Sequence, residues 1–184
     1  MRRLRAAAAF LLAVGLVAGC RNDPADVAAL FPEQRPDAEV MTDFETIYSD
    51  SARVKVRIRG PRLLRYQEGN DWVQLFPDGA TVEFFDPGGR VSSTMRSGYG
   101  IRYEDREQVI VRDSVVWESS AGDRLDTEEL IWDAKPKRIY SDRFVRLRQR
   151  DQEITGVGFE SNEDFTESRV RAIRGVVAVG ERRP

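Results

Sequence analysis

Histidine is absent from the sequence, and cysteine occurs once among its 184 residues. Without histidine the chain cannot build a Ser-His-Asp or Cys-His catalytic system, and it lacks the most common protein ligand of zinc. A single cysteine cannot form a disulfide bond within the chain. Carboxylate chemistry without a metal stays open, so the composition disfavours an enzyme without excluding one. We expect no cofactor.

An excess of either charge is also missing. The chain carries 29 basic and 31 acidic residues, for a formal net charge of -2. Proteins that bind nucleic acid normally have basic residues in excess and clustered on one face, so we expect no nucleic-acid partner. The length fits about one domain of roughly 100 to 200 residues, and the 41% of hydrophobic residues can form a core.

Residues 1–19 have the layout of a secretory signal peptide. Three arginines lie within the first five residues, an uncharged stretch covers residues 6–18, and small residues precede Cys20. The uncharged stretch has 13 residues, whereas a helix needs about 20 to span a bilayer. A cleaved signal peptide is therefore favoured over a retained transmembrane helix.

The only cysteine lies at the predicted cleavage point, directly after Val17, Ala18 and Gly19. This arrangement is similar to the lipidation site of bacterial lipoproteins, where small residues fit the peptidase cleft and the thiol receives a diacylglycerol. Several acyl chains hold a protein firmly at a membrane. We therefore predict that Cys20 is lipidated, and an ordinary signal peptide followed by an unmodified cysteine is the alternative.

The chain after the anchor divides into a tether and a β-domain. Residues 20–43 contain three prolines among small and polar residues, which predicts a flexible tether. From residue 44 to about residue 180, apolar and polar residues alternate with a period of two, which is typical of strands with one buried face. Segments rich in Gly, Pro, Asn and Asp separate these runs. The pattern predicts an all-β sandwich, barrel or roll.

An internal repeat adds to the strand pattern. Six residues recur 33 positions later: Phe76, Val82, Phe84, Gly89, Thr94 and Tyr99 correspond to Val109, Val115, Trp117, Gly122, Thr127 and Trp132. The strand part recurs after a further 30 positions as Ile139, Val145 and Leu147. Ankyrin repeats share this length, but they are helical and carry a histidine motif. The repeat therefore predicts stacked units of strand, turn and strand with two open edges.

The repeat resembles the strand-turn unit of the OstA-like family. The resemblance rests on residues 122–133 (GDRLDTEELIWD), residues 137–142 (KRIYSD) and Val145. Residues 154–165 (ITGVGFESNEDF) are similar to the Gly-x-Gly stretch near the end of LptC, the family branch that acts in lipopolysaccharide export. Together the similar segments extend over roughly residues 44–179.

The resemblance implies a twisted, half-open β-jellyroll whose apolar interior holds the acyl chains of lipopolysaccharide. Such a protein receives the lipid from the permease subunits of an export transporter, on the periplasmic side of the inner membrane. It passes the lipid to a periplasmic OstA-like bridge protein by pairing of edge strands. Well-known members keep an uncleaved transmembrane helix, whereas this chain has a leader of the lipoprotein type, so no role of that helix is carried over.

If the interior binds lipid, the residues on the inward face of the strands line it. The predicted set is Val54, Val56, Ile58, Val73, Leu75, Val82, Phe84, Ile101, Tyr103, Val109, Val115, Trp117, Val145 and Leu147. The same residues could instead form an ordinary dry core. Core residues and lining residues both occupy every second position of a strand, on its inward face. Four arginines, Arg57, Arg59, Arg62 and Arg65, are more typical of a solvated outer face than of a phosphate site.

Two other functions remain open at this stage. Paired carboxylates such as Asp105 with Glu107, or Glu128 with Glu129, are the groups that a glycan hydrolase would use. A purely structural lipoprotein would use its edge strands only to bind other proteins. The pair Gly156 and Gly158 does not form a nucleotide-binding loop, and it is more typical of a bulge or a close strand crossing.

Overall fold

The computed structural model describes residues 37–178, which form eleven β-strands and, within that range, no helix. The predicted all-β class is confirmed. The strands are β1 (Glu39–Asp50), β2 (Arg53–Glu68), β3 (Asp71–Phe76), β4 (Ala80–Phe85), β5 (Val91–Ser97), β6 (Tyr99–Tyr103), β7 (Gln108–Ser119), β8 (Arg124–Asp133), β9 (Arg138–Gln149), β10 (Gln152–Asn162) and β11 (Ser168–Ala178). No helix long and apolar enough to cross a membrane occurs in this range.

The folded domain begins earlier than the sequence pattern indicates. Residues 39–43, expected to belong to the tether, form the start of β1 and pair with the second half of β2. Their side chains are exposed, so this part of the strand has no buried face and no alternating pattern. The predicted signal peptide and the lipidation site at Cys20 lie outside the described residues.

All strand pairings are antiparallel, and six of the strands close into a ring. The first half of β2 pairs with β4 and its second half with β3. In the same way, the first half of β7 pairs with β6 and its second half with β5. Because β4 pairs with β5 and β3 with β6, the ring of β2, β4, β5, β7, β6 and β3 is closed.

The remaining strands extend the sheet away from this ring. Strands β8, β9, β10 and β11 follow β7 in order, and β1 pairs with the free side of β2. Within residues 37–178, β1 and β11 each have a single neighbouring strand. The two ends of the sheet are therefore open edges, which are the surfaces that a further strand can join.

The long strands bend near their midpoints, and the bends fold the sheet into two layers. In β7 the bend falls at Asp113 and Ser114, which have positive φ angles of 63° and 57° and interrupt the pairing with β8. In β10 it falls at Gly158, with a φ of 88°. Bulges of this kind add a residue to one strand and turn its direction. The result is the predicted β-jellyroll, with apolar side chains between the layers.

The two glycines of β10 act as the sequence pattern predicts. The pairing of β10 with β9 shifts between Val157 and Phe159, and its pairing with β11 shifts between Thr155 and Gly156. A Cβ atom on Gly156 would lie 2.5 Å from a methyl carbon of Val170 and 2.7 Å from the carbonyl oxygen of Ala172. Gly156 therefore allows a close strand approach, and Gly158 allows the bend.

The predicted repeat corresponds to hairpins with the same turn. In the hairpin of β4 and β5, the N–H of Asp86 donates to the carbonyl of Arg90, and the N–H of Gly89 donates to the carbonyl of Asp86. The hairpin of β7 and β8 has the same two bonds 33 residues later, at residues 119, 122 and 123. Both turn glycines have positive φ angles, of 79° and 92°. The repeated unit is therefore a β-hairpin.

Candidate functional site: an apolar row across the sheet

The interior of the domain contains two main groups of buried apolar side chains. The larger one is formed by the five strands from β7 to β11 and contains Val111, Val115, Trp117, Leu125, Leu130, Ile139, Val145, Leu147, Phe159 and Val170. The smaller one lies at β2, β3 and β6 and contains Leu64, Tyr66, Val73, Leu75 and Ile101. A third small cluster, Phe44, Leu63 and Phe76, combines one residue each from β1, β2 and β3.

One line of cross-strand pairs runs through the larger group and continues beyond it on both sides. Directly opposed residues in neighbouring strands project from the same face of a sheet. Following these pairs from β2 to β11 gives a set that we call the apolar row: Ile58, Val82, Met95, Trp117, Leu125, Leu147, Ile154 and Val176. With strands about 4.8 Å apart, the row extends for roughly 34 Å.

Burial changes along the apolar row. Trp117, Leu125 and Leu147 in its middle are at most 6% exposed, whereas Ile58 and Val82 at one end are half-buried. At the other end, Val176 on the open edge strand β11 is 58% exposed. Ile173 on the same strand is also exposed, at 56%. The row therefore leads from a buried centre to an exposed apolar end at a sheet edge.

Every residue predicted to face inward is at least partly removed from solvent. Seven are buried: Val73, Leu75, Ile101, Val115, Trp117, Val145 and Leu147. The other seven are half-buried: Val54, Val56, Ile58, Val82, Phe84, Tyr103 and Val109. Four of the fourteen belong to the apolar row: Ile58, Val82, Trp117 and Leu147. Val115 and Val145 lie beside the middle of the row, and both pair with Thr127 of β8.

Several central residues break the alternating pattern and were not predicted. Leu63 and Leu64 are adjacent and both buried, because Leu63 packs in the small cluster with Phe44 and Leu64 packs in the cluster at β2, β3 and β6. Phe159 is fully buried directly after the bend at Gly158. A bulge shifts the parity of a strand by one residue, so a strict period of two misses the residues beside it. Gly158 is the signal that locates this shift.

A loop between β10 and β11 reaches over the middle of the apolar row. In residues 162–167, which we call the Phe165 loop, the ring of Phe165 stacks on Trp117 with centroids 4.2 Å apart and an interplanar angle of 17°. The same ring lies 6.3 Å from that of Phe159. The indole N–H of Trp132 donates to the carboxylate of Glu163 at 2.9 Å and holds the loop from β8.

Polar side chains concentrate at the bend of the layers. Glu129 is 8% exposed, and its carboxylate accepts a hydrogen bond from Nε of Arg112 at 2.6 Å. A second guanidinium, that of Arg143, lies 3.6 Å away. The hydrogen bond to Glu129 raises the pKa of Arg112, despite the opposing effect of partial burial. The two guanidinium groups therefore supply opposite charge to the buried carboxylate of Glu129.

The carboxylate pairs considered for hydrolysis do not form a paired site. Glu128 is exposed and Glu129 is buried against Arg112, so the two project from different faces. Asp105 and Glu107 are both exposed, and Asp105 accepts a hydrogen bond from the backbone N–H of Trp72 at 3.1 Å. Within residues 37–178, no group of three or more Asp, Glu or Cys side chains is arranged to hold a metal ion.

The four arginines near β2 are engaged by carboxylates on the outer surface. Arg57 and Arg59 both contact Glu83, at 3.3 and 2.9 Å. Arg62 pairs with Asp78, and Arg65 lies 3.4 Å from Glu104. All four side chains are between 32% and 46% exposed. The structure therefore places them on a solvated, charge-paired face, as expected.

These features define a class: an all-β roll with a continuous apolar inner face and, within residues 37–178, two open sheet edges. A family model described as lipopolysaccharide-assembly, LptC-related proteins matches residues 6–173, nearly the whole chain. The protein therefore belongs to the LptC-related family. A search of curated proteins found no match.

Membership of this family assigns the chain a part in lipopolysaccharide transport. The family consists of periplasmic transport components that associate with the inner membrane, and it is not known for enzymatic activity. Lipopolysaccharide and the components of its transport system are accordingly the partners of the family. The apolar row is the feature of this chain best suited to such a ligand.

Proposed function

We propose that the protein binds the acyl chains of lipopolysaccharide along the apolar row and passes the lipid along the sheet to a neighbouring β-jellyroll. The observation that carries this proposal is the continuity of the row over eight strands, from Ile58 to the exposed Val176. An acyl chain gains about 0.8 kcal/mol for each methylene that it buries. A continuous apolar surface lets the chain move without crossing a polar barrier.

The open edges supply the connection to other proteins. Within the part of the chain that the structure describes, strand β11 has a free side next to the exposed residues Ile173 and Val176, and β1 has a free side at the opposite end of the sheet. A further β-jellyroll can join either edge through backbone hydrogen bonds. Its inner face would then extend the apolar row. We propose that one edge joins the permease subunits of the transporter and the other a periplasmic OstA-like protein.

If the apolar row is the binding surface, the affinity for lipopolysaccharide depends on its acyl chains. We expect the protein, purified from membranes in mild detergent, to bind lipopolysaccharide at least about 100-fold more tightly than a fully deacylated form that keeps both phosphates. Burial of four or more methylenes accounts for that ratio. Competition against fluorescently labelled lipopolysaccharide, followed by anisotropy, measures both affinities.

Equal affinity for the two forms would show that the head group, and not the acyl chains, is recognised. The deacylated form is a matched control because it retains the phosphates that exposed arginines could bind. Release of cleaved sugar during the same incubation would instead support the glycan hydrolase. A protein that binds neither form but joins its partners would act as a structural lipoprotein.

We also propose that Cys20 carries the membrane anchor. The support for this anchor is the position of the single cysteine after Val17, Ala18 and Gly19, at the end of an uncharged stretch too short to span a bilayer. We expect intact-mass analysis of the protein from membranes to show loss of residues 1–19 and addition of acyl groups at Cys20. A Cys20→Ser variant should be released from the membrane fraction. An unprocessed chain with a free thiol would contradict the proposal.

A further inference from the structure

The Phe165 loop contains a backbone hydrogen bond that recurs in other turns of the domain, and in three of them the N···O distance is the same. In each of the four, the N–H of the fourth residue donates to the carbonyl of the first at 3.2 Å, at residues 76–79, 104–107, 134–137 and 162–165. The fourth residue has a positive φ in all of them: 78° for Gly79, 54° for Glu107, 52° for Lys137 and 55° for Phe165. Glycine adopts this conformation without strain, and a bulky side chain adopts it rarely.

The turn itself therefore does not explain an aromatic residue at position 165. Glu107 and Lys137 occupy the equivalent positions with exposed side chains. Phe165 instead directs its ring into the interior and stacks on Trp117, in the middle of the apolar row. A strained backbone persists where the surroundings hold it, and such positions are often functional. The ring thus covers the part of the row that is furthest from both edges.

Trp117 supplies a second, independent observation. Its side chain is 6% exposed, and its indole Nε1 is buried without a hydrogen-bond partner among the described residues. Trp132, by comparison, donates its indole N–H to Glu163. A buried donor without an acceptor is destabilising, so native structures retain few of them. An acceptor from a ligand would satisfy this donor.

We propose that Trp117 forms an internal subsite for an ester-linked fatty acyl chain and that Phe165 occupies this subsite until the chain displaces it. The inference rests on the proposed binding of acyl chains to the apolar row. In the subsite the chain takes the place of the Phe165 ring on Trp117, and an ester carbonyl or a hydroxyl of the lipid accepts the indole N–H. The Phe165 loop moves outward, as residues 163–167 lie between β10 and β11 and belong to neither strand.

The loop is built so that this movement leaves the strands intact. Its internal bonds are local: the side-chain oxygen of Asn162 accepts from the N–H groups of Thr166 and Glu167, at 3.0 and 3.2 Å. The hydrogen bond from Trp132 to Glu163 and the ring of Phe165 hold it against the interior. These two contacts can break together while the ladder between β10 and β11 stays formed.

The test compares lipopolysaccharide binding by three variants in detergent. Phe165→Ala removes the internal competitor, so we expect its affinity to rise about tenfold. Trp117→Phe keeps an aromatic ring and removes the N–H, so we expect a several-fold loss of affinity. Phe144→Ala, at an exposed phenylalanine of β9, is the matched control and should bind like the wild type.

Different outcomes separate this inference from the proposed function. If the wild type binds lipopolysaccharide and Phe165→Ala binds equally well or more weakly, Phe165 is not a competitor and the subsite is wrong. If the wild type does not bind at all, the proposed function itself fails. A benzophenone side chain at position 165 gives an additional readout, because it should crosslink to Trp117 in the free protein and lose that crosslink when lipopolysaccharide is added. Persistence of the crosslink at saturating lipid would overturn the displacement.

Discussion

Replacing Phe159 with alanine should lower the free energy of unfolding by about 3–5 kcal/mol. Phe159 is fully buried and belongs to the larger interior group, directly after the bend of β10 at Gly158. Truncation removes its apolar surface from the core and leaves a cavity that the two layers cannot close without moving. Because small domains are stable by only about 5–15 kcal/mol, this loss is a large part of the total.

The control for this prediction lies on the neighbouring strand. Phe144 of β9 pairs with Val157, two residues before Phe159, but its side chain is 46% exposed. Phe144→Ala should cost less than about 1 kcal/mol, because nearly half of its surface already contacts water. Urea denaturation of both variants, followed by circular dichroism, measures the difference. Equal losses of unfolding free energy in the two variants would show that the bend of β10 does not place Phe159 in the interior.

The strand pattern and the inward parity were predictable because a half-buried antiparallel strand repeats every two residues. Val145 and Leu147 show this directly, since both are buried and the intervening Arg146 is exposed. The hairpin repeat was predictable for a similar reason. Its turns need a residue with positive φ, and glycine at positions 89 and 122 marks them in the sequence.

The bends of the strands could not be located from the pattern alone. Phe159 is central to the interior, yet it lies beside a bulge that changes the parity of β10. Leu63 and Leu64 are both buried because they belong to two different clusters. The start of β1 could not be predicted either. Residues 39–43 belong to a paired strand, but their side chains stay exposed. Pairing without burial leaves no hydrophobic signal.

The position of Phe165 also could not be predicted, because it depends on tertiary structure. The sequence around it, Asn162 to Glu167, indicates a turn of polar residues. Only the folding of the two layers brings this turn over Trp117, which lies 48 positions earlier in the chain. The apolar row is a similar case, since its members come from eight strands and follow from the pairing register.

Lipopolysaccharide should crosslink efficiently from the apolar row and not from the opposite face of the same strands. Val82 and Thr81 are adjacent in β4 and project from opposite faces, and Val82 belongs to the row. Ile154 and Thr155 form an equivalent pair in β10. A photoreactive amino acid at Val82 or Ile154 lies beside the acyl chains if the row is the binding surface. At Thr81 or Thr155 it lies on the outer face.

Photocrosslinking at these four positions, in cells that make lipopolysaccharide, tests the central claim most directly. The adjacent pairs are matched for strand and exposure, because all four residues are half-buried. Detection of the adduct with an antibody to lipopolysaccharide gives the readout. We predict at least about a tenfold stronger adduct from Val82 and Ile154 than from Thr81 and Thr155. Equal adducts from both faces, or adducts from the outer face only, would contradict binding along the apolar row.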